Sequence, residues 1–134
     1  MTEARRGADG EAQIALRFQS HGCVVSLPLM RAVSYDLIAD IADRPYKVQV
    51  KFIGSARTRV DVSKKGLKRR VYGPHEIDLM AVYQEGGSCY LFPWPSVAEH
   101  TITLTKERKR AFQFEKVLAD ILAERYALGA ARSG

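Results

Sequence analysis

Period-two alternation of apolar and polar residues organises the middle of this chain. In YKVQVKFI (46–53), Tyr46, Val48, Val50 and Phe52 share one side of a strand, and Lys47, Gln49, Lys51 and Ile53 share the other. SYDLIADI (34–41) alternates likewise, with Tyr35, Leu37, Ala39 and Ile41 against Asp36, Ile38 and Asp40. A short ADRP connection makes the two an antiparallel hairpin, with Pro45 at the start of the second strand, where no ladder donor is needed. CVVSLPL (23–29), EIDLMAVY (76–83) and SCYLF (88–92) read as further strands, the last two turned by EGG, and TITL (101–104) as a short edge strand.

Helical spacing marks the two ends. Asp9 is a candidate N-cap for a helix over residues 10–20 that Gly22 ends, and Glu11, Ala15 and Phe18 share one stripe of it. Near the C-terminus, Phe114, Val117, Leu118, Ile121 and Leu122 form the apolar stripe of a helix over 106–127, fit to dock on the sheet or on a second subunit. The KERKR run at its start sets cations at the unfavourable end of the helix dipole, which assigns them to something external.

The hairpin can be tested for consistency. Directly opposed residues of an antiparallel pair project to one face, so matching the two apolar sets requires paired positions to sum to an odd number. A sum of 87 sets Asp36 opposite Lys51, and a sum of 85 sets it opposite Gln49. Either register gathers Asp36, Gln49 and Lys51 on one face.

Composition narrows the class. With 134 residues, 46% hydrophobic and 27% charged, the chain fits one soluble globular domain. No apolar run approaches the roughly 20 residues that span a bilayer, and MTEARRGADG has no apolar stretch after its arginines, so a cytosolic protein without a membrane partner is expected. Cys23 and Cys89 lack CxxC spacing and nearby histidines, which argues for two reduced, strand-buried thiols and against zinc.

Charge is local. Of a net +6, the window from Arg44 to Gly73 carries ten cations against Asp61, or +9, leaving −3 for the rest. GSARTRVDVSKKGLKRRVYG (54–73) has too many charges and glycines for a buried element and reads as a long basic loop or mobile β-ribbon. Arg57, Arg59, Lys64, Lys65, Lys68, Arg69 and Arg70 are its candidate contacts to a DNA backbone, while a ribbon that reads bases from a groove fits equally.

Phosphodiester hydrolysis needs a hard divalent cation on oxygen ligands, a positioned water and positive charge beside the phosphate. Asp36 would supply a carboxylate ligand and Gln49 a neutral carbonyl, Lys51 would orient or help deprotonate the water, and Glu11 would reach the ion through water. Each residue also has an ordinary reading: a cross-strand ion pair for Asp36 and Lys51, a solvated strand amide for Gln49, and a helix-dipole carboxylate for Glu11. Asp78 reads as a bond to nearby backbone, and His75 and His100 as surface residues.

G-x-x-G-E at Gly7, Gly10 and Glu11, YDLIAD at 35–40, VQVK at 48–51 and DLMAVY at 78–83 together resemble the PD-(D/E)XK nuclease superfamily, over residues 7–93. The Q-x-K form is most similar to the branch known from certain intron-homing endonucleases, and more loosely resembles archaeal-type Holliday junction resolvases. The resemblance implies an α/β, restriction-endonuclease-like fold with a central mixed β-sheet flanked by helices. It implies dependence on Mg²⁺, with Mn²⁺ able to replace it, and catalytic roles for Glu11, Asp36, Gln49 and Lys51, the metal lying among Asp36, Gln49 and Glu11. Tyr35 stands where a proline often precedes the aspartate, and Gln49 replaces an acid, which removes one formal charge from the metal site. The expectation is an endodeoxyribonuclease acting on double-stranded or branched DNA as a homodimer or homotetramer. A non-catalytic nucleic-acid-binding module on the same fold, or an RNA-processing nuclease, are the alternatives.

Overall fold

A computed structural model of the chain describes residues 2–30, 33–94 and 99–133. Helix α1 (Glu3–Ser20) starts earlier than Asp9 predicts, because the Thr2 hydroxyl oxygen accepts the Arg5 backbone N–H at 3.2 Å and caps it. Gly10 therefore lies inside the helix, where a Cβ would stand 3.4 Å from the Phe52 Cβ, so α1 sits close on the sheet. The helix ends as expected at Gly22 (φ +81°), with the Cys23 and Gly22 N–H groups returning to the Phe18 and Gln19 carbonyls.

Strands β1 (Val24–Ser26), β2 (Leu37–Ile41), β3 (Arg44–Ile53), β5 (Leu79–Gln84) and β6 (Ser88–Pro93) form one sheet in the order β1-β2-β3-β5-β6. The β3–β5 pair is parallel and the others antiparallel, so the sheet is mixed and α/β, flanked by helices. β1 is shorter than residues 23–29 predict and stops before Pro28, which has no N–H to continue a ladder. The β2–β3 register sums to 85 (Leu37↔Val48 through Ile41↔Arg44). Its connection shrinks to Ala42 and Asp43, both at positive φ (48° and 66°), the backbone of a tight hairpin turn.

Both faces of the sheet are covered. On one, Ile14 and Phe18 of α1 and Phe114, Val117, Leu118 and Ile121 of the C-terminal helix meet Leu37, Ala39, Ile41, Val48 and Val50. On the other, Val60, Val62, Tyr72, Trp94, Ile102 and Leu104 close over Met80, Val82 and Phe92. β5 is consequently buried on both sides and reads as an unbroken apolar run, LMAV.

Of its two readings, loop or ribbon, the basic segment takes the ribbon: β4 (Arg59–Asp61) pairs with β7 (Thr101–Thr103), with Val60 buried in the pair and Val62 and Ser63 buried just after it. Alternation within RVDVS hides the apolar side and leaves the charges outside, and TITL belongs to this ribbon instead of a sheet edge. The predicted C-terminal helix also splits into α2 (Lys106–Ala111) and α3 (Phe114–Ser133). The break lets the Phe112 carbonyl accept the Leu91 N–H at 2.9 Å and brings Gln113 alongside Tyr90. Arg108, Lys109 and Arg110 thus fall in the last turn of α2, the favourable end of its dipole, and Arg108 pairs with Glu99 at 3.0 Å. The apolar stripe of α3 is spent in the core, so it does not argue for a second subunit.

Cys23 and Cys89 are free and buried, although Cys23 precedes β1 instead of lying within a strand. Among the described residues, no helix is long and apolar enough to cross a membrane.

Candidate active site

Asp36 sits where the β2–β3 ladder runs out. Its N–H donates to the Val48 carbonyl at 2.9 Å, and its carboxylate Oδ2 accepts the Val50 N–H at 2.9 Å, replacing the rung that β2 backbone would have supplied. The chain bends at this point, so Tyr35, expected on the helix side, packs against the apolar cluster on the ribbon side. Asp36 is held by β3 from both ends of one side chain and backbone unit, which is stronger positioning than a place on a strand face.

Around it the structure gathers the other predicted residues from two directions. α1 brings Glu11 to the wall of the cleft that Asp36 also lines, where it acts to lower the Asp36 pKa. β3 brings Lys51, close enough for its ammonium to stabilise ionised Asp36. Burial nevertheless wins at Asp36 and raises its pKa, against the opposing pulls of the Val50 N–H, the Lys51 charge and Glu11. Lys51 is shifted the other way: burial lowers its pKa, Asp36 and Asp61 resist, and Lys65 adds to the lowering. Gln49 lies two residues from Lys51 on the same side of β3, next to Met80 of β5, half-buried. Among the described residues, none hydrogen-bonds its side-chain amide.

Two clefts open on this group. One, of about 550 Å³, has Glu11 and Asp36 on its wall with apolar Leu27, Pro28, Met30 and Val33 around them. The other, of about 510 Å³, has Lys51 between Arg6, Arg57, Arg59, Asp61 and Lys65. Gly7 of α1 borders both. A larger cavity of about 920 Å³ lies at the far end of α1, between His21, Asp40 and Tyr126, and contains none of the predicted site residues.

The seven cations assigned to DNA fall into two groups. Lys64 reaches Glu76 Oε2 at 2.7 Å, and Arg70 grips both Glu76 oxygens at 2.5 and 3.0 Å. Arg69 bonds Ser63 Oγ at 2.8 Å and Asp61 at 3.2 Å. Arg57, Arg59, Lys65 and Lys68 are exposed, and among the described residues no carboxylate pairs with them. Ser63, ahead of Arg69, holds the Asp61 carboxyl down at about 2, and Arg70, then Lys64, hold Glu76 well below the usual carboxylate range.

Sequence reading missed Arg6, Tyr72 and Glu76. Arg6 was hidden by the late helix start, which Thr2 as a cap would have corrected. Tyr72, buried near the charges of Asp36 and Glu76, has its phenol pKa raised first by burial and then by both acids; nothing in its spacing signals this. Asp78 does bond nearby backbone, accepting the Lys47 N–H at 2.8 Å, and pairs with Arg44 at 3.5 Å. His75 and His100 are exposed.

The donor set suits a hard divalent cation. Two neighbouring carboxyl groups cannot both carry full charge cheaply without a counter-ion, and a divalent cation can supply it. Among the described residues, no three of His, Cys, Asp and Glu converge, and Glu11 and Asp36 are the two carboxyl groups that line this cleft.

Comparison with known proteins bears on the family and the fold. A protein-family model described as PD-(D/E)XK endonuclease matches residues 1–120. Among solved structures, that of a bacterial homing endonuclease, I-Ssp6803I, superposes with a TM-score of 0.79 at 23% identity, covering 100% of this chain and 99% of that one. No curated protein matches.

Proposed function

Since the chain belongs to the PD-(D/E)XK endonuclease family and is thereby a nuclease, we propose that it hydrolyses DNA phosphodiester bonds with a divalent cation held by Asp36, Gln49 and Glu11. The observation that carries this reading is the Glu11–Asp36 carboxyl pair beside Lys51, at the edge of a cleft lined by Arg6, Arg57, Arg59 and Lys65. Mg²⁺ is the proposed ion, with Mn²⁺ as a substitute. When bound, it supplies Lewis-acid polarisation of the phosphate and a more acidic water.

The chain's own residues supply the rest. Arg57, Arg59, Lys65 and Lys68 neutralise backbone phosphates and bring the duplex over the cleft. Lys51 hydrogen-bonds the attacking water and the phosphate, and burial eases loss of its own proton, so its neutral fraction can accept one from the water. The water oxygen attacks phosphorus and the bond to the leaving sugar oxygen breaks. Asp36 stays in register with β3 through Val50, which keeps its free oxygen at a constant position.

One site cuts one strand, so cutting both calls for two or four copies related by symmetry, matching a palindromic or four-way substrate. The test compares linear duplex with a four-way junction of the same sequence, each with Mg²⁺ and with Mn²⁺. Cleavage by the parent and none by Asp36→Asn or Lys51→Ala supports the reading, and the preferred substrate separates homing-type from junction-type cleavage. A parent that binds DNA but cuts neither substrate with either ion is the non-catalytic module instead.

A further inference from the structure

Members of both groups of cations meet in a small hairpin. Lys64 and Arg70 exchange both backbone hydrogen bonds, at 2.7 and 3.2 Å, and close the loop over residues 65–69. Each leg is fastened to the body. Lys64 bonds Glu76 and Ser34 at 2.7 and 2.9 Å and Arg70 clamps Glu76, while Arg69 reaches Ser63, Asp61 and, at 3.1 Å, the Thr101 hydroxyl. What projects is Lys65, Gly66, Leu67 and Lys68, all exposed, with Leu67 fully so.

A single exposed leucine means little by itself. Here it crowns a loop already ordered by two carboxylates and three hydroxyls, as a recognition element requires. Phosphate oxygens give a leucine nothing, whereas base steps and thymine methyl groups do. A second copy is a poor occupant, because Lys65 and Lys68 flank the leucine and like charges would meet.

Resting on the DNA reading above, we propose that the 64–70 hairpin enters a groove of duplex DNA, with Lys65 and Lys68 on the two flanking backbones and Leu67 against the bases. Leu67 then contributes discrimination between sequences, while the phosphate contacts contribute affinity.

The test uses the full-length Lys51→Ala protein without added metal, so cleavage does not enter. Duplexes enriched from a random pool by binding are compared with scrambled ones. Leu67→Ala should lower the ratio of selected to scrambled affinity about tenfold while binding to scrambled duplex stays within about twofold, since apolar contact with bases discriminates between sequences and phosphate contact does not. A Leu67→Cys protein carrying an iron chelate adds geometry, because Cys23 and Cys89 are buried and leave the new thiol as the labelled one. Strand cuts clustered over a few base pairs place the tip in a groove, their stagger telling major from minor.

Diffuse cutting, a pool that enriches no motif, or an unchanged ratio in Leu67→Ala overturns the proposal. So does a fall in sedimentation coefficient on Leu67→Ala, which would make the tip a subunit contact. Failure of the parent to bind any duplex would instead bring down the DNA reading itself.

Discussion

The Asp36 carboxylate and the Val50 backbone N–H meet at 2.9 Å, so a side chain completes the ladder between β2 and β3 where the backbone of β2 has turned away. This one bond fixes the acid of the proposed metal site to the strand that also carries Gln49 and Lys51. It also makes separable what Asp36 does for the fold and what its charge does.

Asp36→Asn keeps an oxygen for the Val50 N–H and loses the charge. Cleavage should fall by about 10²-fold or more, as it should for Lys51→Ala, while duplex binding survives in both. With metal chelated, the raised Asp36 pKa has a stability consequence of definite sign. The unfolded chain ionises this acid first, so it costs stability as pH climbs from the ordinary carboxylate range through the folded value. The asparagine variant should melt above the parent at pH 8 and converge with it in acid. Calorimetry at both pH values, beside single-turnover cleavage, checks the pair of expectations; equal melting at pH 8 would contradict the burial of the charge.

Metal affinity should weaken as pH falls, beginning above the ordinary carboxylate range, because the Asp36 carboxyl, whose pKa burial raises, must be ionised to bind an ion. At higher pH, kcat/KM should go on rising as Lys51 loses its proton and should level off earlier than an ordinary lysine would allow, because burial lowers its pKa. Titrating metal at several pH values, by heat and by cleavage, measures both. A pH-independent metal affinity would show that the two acids do not share the ion.

Arg57→Ala and Arg59→Ala should each flatten the plot of log K against log salt by about one unit. Arg70→Ala should leave that slope unchanged and lower the melting temperature, since Arg70 already spends both nitrogens on Glu76. Fluorescence anisotropy across a salt series tells them apart; an equal slope change for all three would put Arg70 on the DNA.

Glu76 stays ionised far into acid, and its stabilising effect is complete above the ordinary carboxylate range and lost as pH drops through its depressed folded value. Glu76→Gln should therefore be less stable than the parent at pH 7, with the gap closing in strong acid. Urea midpoints at stepped pH decide it, and a gap that widens in acid would refute the ion network.

Gly10→Ala should raise stability by about 0.5–1 kcal/mol, because the added Cβ meets Phe52 at ordinary contact distance while the helix interior gains a better residue. Gly10→Leu should push α1 off β3, carry Glu11 away from Asp36, and reduce cleavage more than binding. Denaturant midpoints and cleavage rates on both variants check this; a destabilised alanine variant would mean that α1 lies closer to β3 than 3.4 Å implies.

Spacing alone determined a good deal of this protein. Alternation in residues 34–41 and 46–53 was enough to require an odd register sum, because a pleat has period two and burial of one face admits no slip. Residues 7–93 likewise carried enough ordered motif to reveal the family. Tertiary structure alone decided that Glu11 shares a cleft with Asp36, that Arg108, Lys109 and Arg110 fall in the last turn of α2, and that Lys64, Arg69 and Arg70 brace a hairpin while no carboxylate among the described residues pairs with Arg57, Arg59, Lys65 or Lys68. Those outcomes depend on partners far along the chain. A charge carries no mark of which distant carboxylate will meet it, and a helix shows no break until a neighbouring strand claims its carbonyl.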